Sequence, residues 1–226
     1  MNPFDQLAEK FAALPGVGPR QARRMVFFLL RQRREWTENL TALMRSLRAQ
    51  AAICEDCRRF FLPDRTGQTH CRICADPHRP DHTLIIVEKE VDLENIEQSG
   101  AVEGKYFVLG GLYAPLAKEP ARALRLAELD ALLQRRAPAL REVIIALAVN
   151  PDGEETRRFL TEHLASAARR YGFSLTAPAR GLSTGSELEY ADPQTLRSAF
   201  AGRSAGENIP SSDATPSPSA PRQRAA

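Results

Sequence analysis

At 226 residues, 43% of them hydrophobic, the chain is long enough to bury one large core or two small ones. Its 31 basic and 28 acidic side chains leave a formal charge of only +3, which excludes attraction to nucleic acid through bulk charge and leaves that task to local clusters. No apolar run approaches the roughly 18 residues of a membrane span, and Asp5 and Glu9 interrupt the opening MNPFDQLAEKF, so the expectation is a soluble cytoplasmic protein.

The first fifty residues read as helical. Asn2 is placed to cap a helix with Pro3 at its first position, and Phe4, Leu7, Ala8, Phe11 and Ala12 fall on one face before Leu14-Pro15 ends it. Gly16-Val17-Gly18 then makes a tight turn, for which both glycines are expected to supply positive φ and exposed N–H groups. Pro19 restarts a helix with the stripe Ala22, Met25, Val26, Leu29 and Leu30, much of its remaining surface carrying Arg20, Arg23, Arg24, Arg31, Arg33 and Arg34. A third helix is expected from a Thr37 cap, burying Leu40, Leu43, Met44, Leu47 and Ala51.

Backbone amides at a helix start suit a phosphate, and Arg20 and Arg24, four apart, project from one side beside the turn. Gly16, Gly18, Arg20, Arg23 and Arg24 are therefore the candidate DNA contacts, positioning the protein without reading sequence. An ordinary helical hairpin, with arginine for solubility, is the plainer reading of the same residues.

All four cysteines lie in two Cys-x-x-Cys pairs, Cys54/Cys57 and Cys71/Cys74. Four thiolates suit a tetrahedral zinc with no open position, which makes the expected role structural. A redox pair would be expected once, within a βαβ unit, and His70 is read as a neighbour and not a ligand.

Past Pro80 the pattern changes to short apolar runs, TLIIVE (83–88), YFVLGG (106–111), EVIIALAV (142–149) and FSLTAPA (173–179), separated by amphipathic stretches near 91–98, 121–136 and 153–171. Such runs suit strands buried on both faces of a mainly parallel sheet. Glu88, Asp152 and Glu154 would then sit at strand carboxyl ends, where α/β sheets place their sites. From Ser204 the chain is rich in Ser, Pro and Ala and reads as a disordered tail.

LPGVGPRQARRM resembles a helix-hairpin-helix and, more closely, the amino-terminal signature of the RecR family, which usually has Lys where this chain has Arg20. Charge is kept by that change, and a bidentate option is added. The four-cysteine module follows in the family's order, and YFVLGGLYAPL and GLSTGSELEYAD are again similar to it; the second stretch is read as a capping loop and helix start. The strand-end acids resemble a Toprim domain, in which a glutamate and a later acidic cluster hold Mg²⁺. Catalytic Toprim domains carry Asp-x-Asp, for which this chain offers Ala148 and Asn150, or Asn150 and Asp152, depending on the alignment. Metal-binding charge is lost either way, while the family's Asn-Pro followed by an acidic Glu-Gly-Glu matches Asn150-Pro151 and Asp152-Gly153-Glu154.

The resemblance implies a multi-domain α+β chain: helix-hairpin-helix (1–53), four-cysteine zinc finger (54–79), Toprim α/β domain (80–179), a segment packing on it (180–203) and the tail (204–226). It further implies a nucleoid-associated recombination mediator of DNA repair, not an enzyme. This mediator would bind duplex and gapped DNA as a ring-like homo-oligomer, a tetramer, and act with RecO and RecF to load RecA at single-strand gaps. Glu88, Asp152 and Glu154 become partner- or Mg²⁺-binding candidates. The rival is a Mg²⁺-dependent nuclease, primase or topoisomerase-like enzyme using the same three carboxylates.

Overall fold

The computed structural model describes residues 1–179, 182, 187–191 and 193–201. The described chain divides into two units, Met1–Thr176 and Ala177–Ala226.

In the first unit, Asn2 caps α1 (Pro3–Ala12), its Oδ1 accepting from the Asp5 amide at 2.9 Å. Helix α2 (Pro19–Arg31) packs on α1 through Phe4 and Phe27, whose ring centroids are 4.9 Å apart, and buries Ala22 and Val26. Helix α3 spans Arg34–Gln50 and starts a turn earlier than the Thr37 cap expected from sequence. Arg33 is the residue in extended backbone, and Thr37 instead donates its hydroxyl to the Arg34 carbonyl at 2.8 Å, while Trp36 sits edge-on to Phe28. The expected buried face of α3 is not buried: Leu43, Met44 and Leu47 are 60%, 63% and 57% exposed. Their spacing is helical, but the described chain lays nothing over them.

Next comes the cysteine segment, with the hairpin β1 (Ala52–Ile53) and β2 (Phe60–Phe61) and the single turn α4 (Arg72–Ala75). Strands β3 (Thr83–Val87), β4 (Lys105–Val108), β5 (Glu142–Ala146) and β6 (Ser174–Thr176) form a sheet in the order β4-β3-β5-β6, parallel at every pairing. The connecting helices are α5 (Glu90–Ser99), α6 (Leu126–Arg136) and α7 (Pro151–Tyr171).

One sheet face packs Leu84, Ile86, Phe107 and Val143 against Leu129, Leu132 and Leu133 of α6 and Leu160 and Leu164 of α7. The opposite face packs Ile85, Val87, Tyr106 and Val108 against Leu93 of α5 and against Cys54, Cys57, Cys71 and Ile73. The cysteine module thus covers sheet where a helix would otherwise lie. β3 and β4 are buried throughout, as expected of two-sided cover, whereas β5 alternates between buried and half-buried residues because that second cover is centred on β3 and β4. Strand order reverses between β3 and β5, so the crevice at their carboxyl ends is the topological switch point. No helix is long and apolar enough to cross a membrane, among the described residues.

The second unit contains a 3-10 turn at Leu188–Tyr190 and α8 (Pro193–Ala201), so residues 181–192 contain the turn and lead into a helix. The expected tail lies outside the described residues.

Candidate metal centre and nucleic-acid interface

The two Cys-x-x-Cys loops fold against each other. Arg58 N–H donates to the Cys54 carbonyl at 3.1 Å and Cys54 N–H to the Arg59 carbonyl at 2.9 Å, closing the first loop, with Arg58 held at φ +62°. Cys71 N–H points at the Cys54 sulfur at 3.4 Å, joining the second loop to the first. The ligand atoms of all four cysteines lie within 4.8 Å of one another, and the Sγ atoms of Cys57 and Cys71 are 3.6 Å apart. Tetrahedral zinc with ~2.3 Å bonds to sulfur sets ligand separations of about 3.8 Å, so the donor set fits such an ion.

Without a cation these sulfurs cannot all ionise. Hydrogen bonds from Cys57, Cys71 and Cys74 pull the Cys54 thiol well below its ordinary range, while Cys57 and Cys74 are pushed up, first by their hydrogen bond to Cys54 and also by burial. A divalent metal removes that conflict by neutralising the shared charge. His70 stands outside the group, its Nδ1 2.9 Å from the Thr69 hydroxyl and its Nε2 3.7 Å from Asp56.

Polar contacts fix the module to the sheet. The Cys57 carbonyl accepts from the Val108 amide at 2.8 Å, and Arg125 donates from Nη1 both to the Arg58 carbonyl at 2.8 Å and to the Val108 carbonyl at 3.1 Å. Asp56, inside the first loop, takes Arg135 at 2.8 Å and Arg136 at 2.7 Å. Burial pushes the Asp56 carboxyl up, but the two guanidinium groups outweigh it and hold it below the ordinary carboxylate range. Lys105 donates from Nζ to the carbonyls of Ile73, Cys74 and Asp76 at 3.2, 3.0 and 2.7 Å.

In the helical hairpin, Gly16 takes φ +75°, as the turn requires. Gly18 does not: it is the N-cap of α2 at φ −77° and ψ 166°, extended backbone that any cap residue adopts. Having no side chain, Gly18 leaves the first turn of α2 without a side-chain acceptor. Arg20 is exposed and has no ion pair or hydrogen bond among the described residues, and Arg24 is exposed with one long contact to Gln21 at 3.4 Å. Arg23 is committed elsewhere, pairing with Asp5 at 3.3 Å and lying over the Phe4 ring, so it ties α2 to α1.

At the switch point, Glu88 follows β3 and its carbonyl accepts from Gly110 N–H at 2.9 Å. Asn150 caps α7, accepting from Gly153 N–H at 2.8 Å, and a Cβ on Gly153 would lie 2.0 Å from the Ala148 carbonyl oxygen. The loop is thus shaped as a helix cap, with Asp152 exposed and Glu154 paired with Arg157 at 2.6 Å. Glu88, Asp152 and Glu154 do not form a group at metal-binding distance; the four cysteines are the one such group found among the described residues.

Comparison with known proteins agrees with this architecture. Residues 4–48 match the family described as RecR, helix-hairpin-helix; residues 82–176 match Toprim domain; residues 181–204 match RecR, C-terminal. The chain is 39% identical over 201 residues to recombination protein RecR of Chloroflexus aggregans, covering 89% of this chain and 93% of that one. Against recombination protein RecR of Roseiflexus castenholzii it is 40% identical over 203 residues, covering 89% and 93%, and against that of Bdellovibrio bacteriovorus 30% over 207 residues, covering 90% and 97%.

The chain belongs to the RecR family.

Within the RecR framework the cysteine module lies between the helix-hairpin-helix and Toprim matches, and the residues that join it to the latter escaped sequence reasoning. Lys105 and Arg125 carry no local signal, because their partners are 17–67 positions away. Asp56 had a weak one: a carboxylate inside a Cys-x-x-Cys loop, opposite a later Arg135-Arg136 pair.

Proposed function

We propose that this chain is a DNA-binding recombination mediator of DNA repair, a non-catalytic clamp and adaptor with a structural zinc. The observation that carries this reading is the start of α2: an uncapped helix N-terminus beside the Gly16 turn, flanked by the exposed Arg20 and Arg24. These contacts suit phosphates and impose no sequence preference. Residues 1–53 serve as the DNA-binding region, 54–79 as the zinc finger, 80–179 as the Toprim domain and 180–203 as the carboxy-terminal segment.

Assembly as a homo-oligomer, a tetramer by family resemblance, is supported by the uncovered stripe Leu43, Met44 and Leu47 on α3. Several modest basic sites on one ring would add their binding energies. In this reading RecO and RecF are the protein partners, RecA loading at single-strand gaps is the outcome, and Glu88, Asp152 and Glu154 form a partner-facing acidic edge. Against the rival Mg²⁺-dependent enzyme stands Asn150, which the fold uses as a helix cap in the loop where a catalytic Toprim domain carries acid.

Anisotropy of labelled duplex and gapped DNA over a salt series tests the proposal. The Arg20→Ala/Arg24→Ala variant is expected to bind at least tenfold more weakly, with a salt slope shallower by roughly two; equal binding by the two proteins overturns it. Nicking of supercoiled plasmid with Mg²⁺, lost in Glu88→Ala, would establish the enzyme instead.

A further inference from the structure

We infer that Lys105 is a positioning residue for the metal centre: its ammonium fixes the second cysteine pair and balances the charge of the metal tetrathiolate. Lys105 opens β4 and is 3% exposed, the one charged residue among the buried described residues. All three ammonium donors are used, and all three acceptors are carbonyls of the second cysteine loop or its exit, including that of Cys74. No carboxylate pairs with it among the described residues.

Carbonyl dipoles solvate a buried ammonium but do not neutralise it, and an uncompensated buried charge is strongly unfavourable. The immediate neighbourhood shows what compensation looks like: Arg79, which donates to the Gly104 carbonyl at 3.1 Å, is paired with the carboxylate of Glu97. Lys105, one residue further on, has no such partner, since the Asp76 carboxylate is turned to the His78 amide at 2.9 Å. The counter-charge within reach is the cysteine cluster itself. Four thiolates around a divalent ion leave a net charge of about −2, against which a buried cation is stabilising. Lys105 thereby links metal occupancy to the first residue of an outer sheet strand.

This inference rests on the metal reading of the cysteines, and the test separates the two. Full-length wild type, Lys105→Met and Lys105→Arg are loaded with zinc, and zinc affinity is measured by competition with a chromogenic chelator; each is also melted in the loaded and the chelated state. Lys105→Met is expected to bind zinc ~10- to 100-fold more weakly, and Lys105→Arg close to wild type. The melting temperature of Lys105→Met falls in the loaded state but not in the chelated one, where wild type carries an unbalanced ammonium. Zinc affinity unchanged in Lys105→Met, an equal fall in both states, or a Lys105→Met protein unfolded even in excess zinc would each overturn the inference. A wild type that holds no zinc would remove the metal reading along with it.

Discussion

Helix α2 and strand β3 are both rich in apolar residues, yet they are stabilised in different ways. Every residue of β3 is buried, between α6 and α7 on one side and α5 with the cysteine module on the other. Helix α2 buries only Ala22 and Val26, and α3 buries nothing. The sheet region closes its core within one chain, while the helical region leaves apolar surface exposed to solvent. Burial of β3 is complete; the apolar stripe of α3 stays uncovered by the described chain.

Substitutions in the two regions should differ in cost accordingly. Leu160→Ala, in the core beside the sheet, is expected to cost about 2–5 kcal/mol in urea unfolding; a cost under ~1 kcal/mol would mean the core is looser than its burial implies. Gly153→Ala forces a methyl against the Ala148 carbonyl and is expected to cost about 1–3 kcal/mol, with a lower thermal midpoint as the readout. Asp56→Asn removes the anion between Arg135 and Arg136 and is expected to cost about 1–3 kcal/mol at pH 7.

The pH dependence of Asp56 has a definite sign. Its folded carboxyl sits below the ordinary value of ~3.9, so its stabilisation is present above that value and is lost as pH falls through the depressed folded one. Wild type and Asp56→Asn should therefore converge in stability on acidification below pH ~4, and a gap that persists in acid would point to packing. Smallest of all is Met44→Ala, expected to change the stability of dissociated protein by no more than ~0.5 kcal/mol while shifting sedimentation toward smaller species. If Met44→Ala destabilised the dissociated chain as much as Leu160→Ala does, the contrast between the two regions would fail.

What could be read from sequence follows the range of the interactions involved. Asn2-Pro3 and Pro19 announce helix starts because capping is local, and β3 to β5 are visible as apolar runs because two-sided burial writes itself into consecutive residues. The cysteine cluster is legible because ligand spacing is constrained by the metal. Illegible were the roles set by distant contacts: Lys105 is a charged residue at the head of an apolar run, and only carbonyls some thirty positions earlier explain it. Gly18 was misread as a positive-φ glycine because a tight turn and a helix cap use the same residue type. The stripe of α3 has the periodicity of a buried face, and periodicity does not say which molecule does the burying.

The hydrogen bond from Val108 to Cys57 lies at the outer edge of the sheet. β4 is an outer strand of the sheet, and the cysteine loop and Arg125 together occupy the amide and the carbonyl of Val108 that point away from β3. The loop thereby blocks part of an outward strand edge that would otherwise be open to another chain for strand addition. The cysteine module therefore covers an edge of the sheet as well as one of its faces.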